Sequence, residues 1–199
     1  LIKAGIKVQS QERKVLEITK AVNYTNPYRD IDIHVIPSDR FRTTFMFEYN
    51  LPALGSQYQA IYNMEEDFAF EVAPARTFCF LSEVEMLKER GLIKGGGLEN
   101  AVVIIDRPID SIEIERLKNL FGIERNIIQG ANGILNGKVL RFKNEPVRHK
   151  TLDLIGDLAL LGFPIKGHVT AARAGHASNV EFVKKLKEQY YNELTELQS

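Results

Sequence analysis

Three polar side chains recur at four-residue intervals in one segment, and both of their types, histidine and aspartate, commonly bind metal ions. His149 and Asp153 are spaced i, i+4 and Asp157 follows one turn later, so a helix would align all three on one face. A catalytic zinc ion has three protein ligands and an open position for water. This segment could supply two of them, and the third must come from elsewhere. The same spacing also fits a solvated or internally paired polar stripe.

Gly156 lies within this polar stripe. Glycine costs a helix interior about 1 kcal/mol relative to alanine. We therefore expect a reason for it, such as the close approach of a ligand or of another backbone segment.

Three further histidines are candidates for a metal ligand or an acid–base group. His34 and His168 lie in strand-like segments, where a packed or surface role is more common. His176 follows Gly175 in a turn between a predicted strand and a predicted helix, where loops often present functional groups, although it could also cap that helix. If His176 lies near Asp157, the carboxylate would orient the imidazole and favour its charged form. Such a pair could act as a general acid or stabilise an oxyanion.

A glycine run at 95–97 precedes a predicted strand and lacks a following Lys-Ser or Lys-Thr pair. This context excludes a P-loop and a dinucleotide-binding fingerprint, both of which lead into a helix. The run instead favours a tight turn, or a passage where a long ligand contacts the backbone.

The elements that must position these groups form an α+β pattern. Segments rich in β-forming residues predict strands at 14–22, 31–36, 41–49, 101–106 and 165–172, of which the first three would form an antiparallel meander. Helical spacing predicts helices at 67–90 with a break at Pro74, at 112–122, at 145–161 and from about Ser178 onward. The segment 126–142 has the glycine and asparagine punctuation of a hairpin. We expect a two-layer sandwich in which a mainly antiparallel sheet packs on helices and carries a βαβ-type insert.

Local signals define two of the helices more closely. Ser82 and Glu85 predict a capping box, and Gly91 predicts the end of the same helix. Pro146 suits the first turn of the 145–161 helix, which Gly162 and Pro164 would stop. The apolar face predicted for this helix consists of Leu152, Ile155, Leu158 and Ala159.

Length and composition indicate one globular domain. The 199 residues include 26 basic and 26 acidic side chains, so no global field would attract nucleic acid or anionic lipid, and an anionic ligand would need a local cationic pocket. No apolar run approaches the ~20 residues of a membrane span. A single cysteine, Cys79, excludes an internal disulfide and favours a reducing, cytoplasmic location. Residues 1–12 are predicted to be a linker and 13–199 the domain.

The chain resembles the UDP-3-O-acyl-N-acetylglucosamine deacetylase family of the LpxC type in four motifs. They are ARTFCF at 75–80, GLIKGGGLENAVV at 91–103, VRHKTLDLIGD at 147–157 and GHASN at 175–179. Their order and intervals also match, and the similarity spans nearly the whole chain. The resemblance implies zinc-dependent hydrolysis of the N-acetyl group of a UDP-linked, 3-O-acylated glucosamine in lipid A synthesis. It also implies two α+β domains that face each other across the site.

The resemblance assigns roles to residues near the metal. His149 and Asp153 would be the zinc ligands, Lys150 would bind substrate beside them, and Thr77 would help to hold the oxyanion. His176, oriented by Asp157, would stabilise charge or protonate the amine.

Further residues would bind the substrate. Phe78 would pack against the sugar, and Arg173, where many members have lysine, would keep a positive charge near the UDP phosphates with a changed geometry. The insert, at about 81–104, would form a hydrophobic passage for the acyl chain. Its lining would consist of Phe80, Val84, Ile93, Gly96 and Ala101.

One part of the family pattern has no match in this sequence. The third zinc histidine and the glutamate that acts as general base lie on the N-terminal domain of family members. We therefore expect the chain to begin near the interdomain linker, and neither to hold zinc tightly nor to turn over substrate without that domain. Two features most resemble members that are fused to a C-terminal acyl-carrier-protein dehydratase domain. They are the segment between Asp106 and Asn144 and the sequence EPVRHK that follows it.

Two alternatives to a hydrolase stay open at this point. One is a non-catalytic module that binds a UDP-sugar or an acyl chain, and the other is a structural domain whose polar stripe pairs across an interface. A pure binding module has no need of a metal-binding pair beside an acid. The joint presence of these groups therefore favours catalysis.

Overall fold

The structure is a computed structural model that describes residues 2–5, 7, 9–91, 100–122 and 127–198, without the side chains at positions 2, 85, 120 and 121. Its strands are β1 (Leu16–Glu17), β2 (Val22–Asn26), β3 (Ile31–Ile36), β4 (Arg42–Glu48), β5 (Ser56–Ile61), β6 (Phe78–Phe80), β7 (Val102–Ile104), β8 (Ile165–Lys166) and β9 (His168–Ala172). Its α-helices are α1 (Met64–Asp67), α2 (Leu81–Glu89), α3 (Ser111–Phe121), α4 (Glu145–Leu158), α5 (His176–Gln189) and α6 (Tyr191–Gln198).

Five strands form the central sheet in the order β2-β3-β9-β4-β5. Every neighbouring pair is antiparallel except β4 and β9, which run parallel. The prediction of a mainly antiparallel sheet is therefore confirmed. The predicted meander of the first three strands is wrong, because β9 lies between β3 and β4 and separates two hairpins. Its residues Val169 and Ala171 pair with Val35 and Ile33 on one side and with Thr43 and Phe45 on the other.

Helices α4 and α5 cover one face of this sheet and complete the two-layer sandwich. The core between the layers is apolar and nearly free of solvent. Its members, each at most 1% exposed, include Ile33, Val35, Phe45, Val169, Ala171, Val147, Leu154, Phe182 and Leu186. Burial of each large side chain of this kind contributes about 1.5–3 kcal/mol. This packing fixes α4 and the start of α5 on the sheet.

The predicted βαβ insert is confirmed. Strands β6 and β7 pair in parallel, with Phe78 opposite Val102, and α2 connects them. The insert and the segment that follows it share a second hydrophobic cluster. It consists of Leu81, Val84, Val103, Leu117, Ile127 and Leu135.

The predicted strand 14–22 is in fact two short elements that lie in different sheets. Strand β1 pairs in parallel with β8, whereas β2 belongs to the central sheet. Between them, the backbone N–H groups of Thr19 and Lys20 donate to the hydroxyl of Tyr190 at 3.0 and 2.8 Å instead of joining a ladder. Likewise, the predicted strand 165–172 divides at Gly167 into β8 and β9.

The region predicted as helical at 67–90 contains more elements than expected. Helix α1 begins at Met64 and continues as a π-helical turn, Phe68–Val72, and strand β6 precedes α2. The capping box is wrong, since α2 begins at Leu81 and the Ser82 hydroxyl and N–H both donate to Asp106. Gly91, with φ +65°, follows the end of α2 as predicted.

Two other local predictions need correction. Within the described part of 126–142 there is no regular hairpin, only isolated bridges such as Gln129–Leu135. Strand β5 was not predicted at all. The strand prediction for 31–36 and the helix predictions for 112–122 and 145–161 are confirmed within a few residues.

The apolar face predicted for α4 is only partly correct, because Leu158 lies in the core as expected but the other core contacts come from Val147 and Leu154. Val147, Leu154 and Leu158 are buried. Leu152 and Ile155 are half-buried against a smaller cluster around Val72, and Ala159 is exposed. None of the helices in the described ranges combines the length and the apolar character needed to cross a membrane.

Candidate functional site

Helix α4 aligns three polar side chains along the stripe that the sequence predicted. His149, Asp153 and Asp157 have side chains that are only 18%, 17% and 15% exposed. The stripe lies beside the core face because α4 packs on both the sheet and α5. It is therefore not an ordinary solvated helix surface, and each of its charged groups needs a nearby partner.

The first two residues of the stripe, His149 and Asp153, make contacts that define the position of one proton on the imidazole. Nδ1 of His149 lies 3.1 Å from the carbonyl oxygen of Ala75, which can only accept, so Nδ1 carries the proton in this hydrogen bond. The other ring nitrogen, Nε2, lies 3.3 Å from Oδ1 of Asp153. In a neutral imidazole two acceptors would then face each other. A cation between them, or a second proton on the ring, removes this repulsion.

This geometry fits a metal ion. Metal-binding histidines usually donate their second nitrogen to a carbonyl or carboxylate, as His149 does to Ala75. Nitrogen and oxygen ligands about 2.0–2.2 Å from a tetrahedral ion lie roughly 3.3–3.5 Å apart, which matches the 3.3 Å between His149 and Asp153. Within the part of the chain that the structure describes, no group of three or more His, Cys, Asp or Glu side chains could hold a metal ion. The pair therefore matches the spacing of two metal ligands.

His176 lies against Asp157, so the proximity inferred from the sequence is confirmed. Its Nδ1 is 2.9 and 3.1 Å from the two carboxylate oxygens. The Nδ2 group of Asn179, a fully buried residue, donates to Asp157 at 2.8 Å and holds the carboxylate in place. The remaining ring nitrogen of His176 lies 4.0 Å from Asp153, on the side of the His149–Asp153 pair. A single ring thus links the Asp157 carboxylate to the vicinity of His149 and Asp153.

The alternative role of His176 as a helix cap is not what the structure shows. Gly175 is the capping residue of α5, and its N–H donates to the Ser178 hydroxyl at 2.9 Å. His176 is the first helical residue, and its side chain is 70% exposed. Its imidazole is therefore free to face a ligand.

Thr77 and the aromatic residues after it lie at the entry to the insert. Thr77 is exposed, and its carbonyl oxygen accepts from the N–H of Val102 at 2.8 Å. It follows Ala75 by two residues, so its backbone is held close to His149. Phe78 packs on Phe47 with ring centroids 6.3 Å apart. Thr77 thus lies in the segment that contacts His149 through Ala75, whereas Phe78 is held against the sheet by Phe47.

A cavity of about 460 Å³ adjoins these groups and carries positive charge. Three cations, Lys150, Arg173 and Arg29, and one carboxylate, Glu48, line it. His176 and the aromatic rings of Phe47 and Tyr49 complete the lining. Lys150 lies beside Gly175, 3.7 Å from the point that a Cβ atom there would occupy. This is the local cationic pocket that an anionic ligand requires in a chain without net charge.

Two carboxylates fix Arg173 at the rim of the cavity. Its guanidinium lies 3.0 Å from Asp30 and 3.7 Å from Glu48. Arg29, which precedes Asp30 in the turn between β2 and β3, was not singled out from the sequence. Nothing in the sequence around Arg29 indicates that it lines the cavity. The β2-β3 hairpin is brought to the cavity only by the pairing of strands within the sheet.

The residues predicted to line an acyl passage are only partly described. Phe80 is half-buried and packs on Tyr49 with ring centroids 5.5 Å apart. Ala101 is half-buried, but Val84 is 1% exposed inside the core of the insert and does not face an open passage. Ile93 and Gly96 lie outside the described residues, as does the glycine run.

Comparison with known proteins gives consistent matches along the chain. A family model described as UDP-3-O-acyl N-acetylglycosamine deacetylase matches residues 1–119 and 109–188. The bifunctional enzyme LpxC/FabZ of Chlorobaculum tepidum is 48% identical over 188 residues, which are 94% of this chain and 40% of that protein.

Two monofunctional relatives give similar coverage. The UDP-3-O-acyl-N-acetylglucosamine deacetylases of Syntrophotalea carbinolica and Chlamydia pneumoniae are 41% and 38% identical over 186 residues. The matches cover 94% and 93% of this chain and 52% and 56% of the relatives. The chain therefore spans between 40% and 56% of the length of these proteins. The family model matches almost the whole length of this α+β chain. The chain therefore belongs to the LpxC family of UDP-3-O-acyl-N-acetylglucosamine deacetylases.

Proposed function

We propose that this chain forms half of a zinc-dependent active site that removes the N-acetyl group from UDP-3-O-acyl-N-acetylglucosamine during lipid A synthesis. One observation carries the proposal: His149 and Asp153 lie 3.3 Å apart with the second ring nitrogen of His149 already engaged. His176 and a cationic cavity adjoin this pair. Family membership gives the substrate class, because relatives with matching sequence are named deacetylases of this nucleotide sugar.

His149 and Asp153 would hold the zinc ion. When bound, zinc would act as a Lewis acid and make a water molecule nucleophilic near neutral pH. The protein's own contribution is the prior orientation of both ligands. The carbonyl of Ala75 fixes the ring of His149, so little reorganisation is needed on binding.

The remaining polar groups would handle charge and protons around the scissile amide. The Thr77 hydroxyl would donate to the oxygen that becomes negative in the transition state. His176, oriented by Asp157, would stabilise that charge and then protonate the leaving amine. Its exposed Nε2 lies on the side of Asp153, which supports this role.

The cationic cavity would bind the UDP part of the substrate. Lys150, Arg173 and Arg29 line it from three different elements, so they can surround a diphosphate. Asp30 and Glu48 keep the Arg173 guanidinium oriented. Phe78 would pack on the sugar, and the insert would contact the acyl chain through Phe80, Ala101 and the residues near Gly96.

We infer that other parts of a longer protein complete the site. The described residues provide two metal ligands on one helix and no third, and the relatives are roughly twice as long. The third ligand and the general base would come from an N-terminal domain. On this basis the 199-residue chain alone would bind zinc weakly and would not turn over substrate.

A fused dehydratase domain is also proposed, because the relative with 48% identity is a bifunctional LpxC/FabZ enzyme. The single cysteine supports a cytoplasmic location.

The test measures acetate release from UDP-3-O-acyl-N-acetylglucosamine by the full-length protein. Activity is measured as prepared, after chelation, and after addition of stoichiometric zinc. We expect loss on chelation and recovery with zinc. His149→Ala should abolish the recovery. His34→Ala is the matched control, because His34 lies in β3 with a 41% exposed side chain and its Nδ1 faces Asp32 at 3.2 Å, away from α4.

Failure would take a distinct form. If the zinc-loaded protein binds the nucleotide sugar but releases no acetate, the chain belongs to a binding module and the catalytic proposal is wrong. If His149→Ala and His34→Ala behave alike, His149 does not hold the metal.

A further inference from the structure

Glu145, the first residue of α4, has a carboxylate with no exposed surface and a full set of hydrogen bonds. Arg76 donates to one carboxylate oxygen from its backbone N–H at 2.9 Å and from Nε at 2.8 Å. The other oxygen accepts from an Arg76 NH2 group at 2.9 Å and from the backbone N–H of Arg141 at 2.7 Å. Four donors thus converge on a single buried anion.

This arrangement keeps Glu145 ionised inside the protein. Burial alone would raise the pKa of Glu145, but the hydrogen bonds from Arg76 and from the backbone outweigh it, so the pKa lies below its usual value. A buried ion pair gives little net stability compared with apolar residues of the same size. A role in geometry therefore explains the pair better than a role in stability.

The pair fixes the segment 75–77 on α4 at two neighbouring points. Glu145 holds the N–H of Arg76, and one helical turn later His149 holds the carbonyl of Ala75. Both contacts lie on the same side of α4, because positions 145 and 149 are spaced i, i+4. Thr77 is the next residue along this segment. Its position relative to the metal-binding pair therefore depends on the Glu145–Arg76 contact.

The same cluster ties a second segment to the first. The Arg141 guanidinium donates to the carbonyl of Pro74 at 2.6 Å, and an Arg76 NH2 group donates to the carbonyl of Val139 at 2.8 Å. These bonds close a ring of contacts around Glu145. Sequence inspection missed the cluster because Arg76 and Glu145 are 69 residues apart and each resembles an ordinary surface charge.

We propose that Glu145 is a positioning residue: through Arg76 it fixes the backbone of 75–77 on α4, and so keeps the Nδ1 proton of His149 engaged and the Thr77 hydroxyl beside the metal-binding pair. Glu145 itself touches neither metal nor substrate. The inference rests on the proposed function for the role of His149 and Thr77. The fixed tautomer of His149, however, is a property of this chain whatever reaction it serves.

The test uses the full-length protein with Glu145→Gln and the milder Arg76→Lys, which keeps the charge but loses the planar, multidentate donor. Glu113→Gln is the matched control, because Glu113 in α3 forms an ion pair with Arg107, and neither residue contacts Arg76 or Glu145 in the bonds that hold 75–77. Zinc affinity is measured by competition with a chelator. The kcat and KM values for acetate release are measured at a temperature where each variant is folded. The Nδ1 proton of His149 is followed by NMR on ¹⁵N-histidine-labelled, metal-free protein.

We expect Glu145→Gln to weaken zinc binding and lower kcat by about 10- to 100-fold each, as changes behind metal ligands commonly do, with KM changed less than about threefold. The His149 Nδ1 proton signal should exchange faster or disappear. Arg76→Lys should give a smaller effect of the same kind, and Glu113→Gln none.

The proposal is overturned if Glu145→Gln and Arg76→Lys lower only thermal stability and leave zinc affinity and the His149 proton signal as in the unmodified protein. Failure of the proposed function would look different. In that case the unmodified protein would release no acetate, while the proton signal of His149 would still respond to Glu145→Gln.

Discussion

Replacing Gly156 by alanine should stabilise the protein, although the residue lies in the candidate site. Gly156 is exposed near the end of α4, and a Cβ atom built there has no heavy atom within 4 Å. Its φ is not in the left-handed region. No described part of the protein therefore requires a glycine at this position, so the close approach of a backbone segment expected from the sequence is not seen. Only a ligand or another part of a longer chain would require the glycine.

The size of the effect follows from helix propensity. Alanine is about 0.8–1.0 kcal/mol more favourable than glycine in a helix interior, partly because glycine gains more entropy on unfolding. For a protein of about 200 residues, 1 kcal/mol shifts Tm by roughly 2–4 °C. We therefore expect Gly156→Ala to raise Tm by about 2–4 °C.

Gly167→Ala is the matched control and should have the opposite sign. A Cβ atom at position 167, between β8 and β9, would lie 2.8 Å from Cγ1 of Ile18 and 3.1 Å from Cγ2 of Val35. Both neighbours are buried, at 4% and 0% exposed, and are branched next to the backbone, so they cannot move aside easily. Overpacking of this kind costs about 1–3 kcal/mol.

Thermal and urea unfolding of the two variants test this reasoning directly. If Gly156→Ala destabilises the protein as much as Gly167→Ala does, the space around position 156 is not open and the explanation is wrong. Gly156→Ala also tests the expectation from the sequence that a ligand or another backbone segment comes close to this position. A stabilised Gly156→Ala variant of the full-length protein whose KM rises would indicate a ligand or domain close to this helix face, and unchanged kinetics would exclude one.

Three other predictions follow from buried polar groups. Burial raises the pKa of the Cys79 thiol to about 11, so alkylation of the folded protein by iodoacetamide at pH 8 should be at least about 100-fold slower than after unfolding. Burial lowers the pKa of His168, so the unfolded chain takes up this proton first as the pH falls below about 6.5. The free energy of unfolding should therefore decrease with acidification until folded His168 itself protonates, and His168→Gln should remove this part of the pH dependence. Tyr190→Phe should cost about 1–3 kcal/mol in urea unfolding, because the Tyr190 hydroxyl binds the backbone N–H groups of residues 19–20, whereas Tyr191→Phe at a 70% exposed position should have almost no effect.

The sequence predicted the parts of the site that depend on local geometry. A helix places residues at i and i+4 side by side, so the spacing of His149 and Asp153 was enough to bring them together. The pairing of His176 with Asp157 was inferred as a hypothesis, because it depends on how α5 packs on α4. Asn179 was not singled out, since an asparagine near a helix start has an ordinary local explanation as a capping residue.

Non-local features were predicted least well. Strand order depends on which segments meet in space, and nothing in the composition of β9 places it between β3 and β4. Strand β5 was missed because its sequence, SQYQAI, is polar and alternates weakly. Its Gln59 is nonetheless buried, and its side-chain carbonyl accepts a hydrogen bond from Asn144. Tertiary contacts of this kind compensate for a weak local preference for the strand conformation.

The position of β9 also determines when the protein can fold. The β2-β3 and β4-β5 hairpins are local, but they join into one sheet only when β9, which begins 120 residues after Glu48 (168 − 48), pairs with both of them. Contacts this distant in sequence are slow to form, and until then β3 and β4 each present an unpaired edge that can bind another chain. On the ribosome these edges would stay open at least until residue 172 has emerged. Only three residues separate His176 from the end of β9, so its arrival beside Asp157 would coincide with closure of the sheet, and the His176–Asp157 contact would be among the last features of the native state to form.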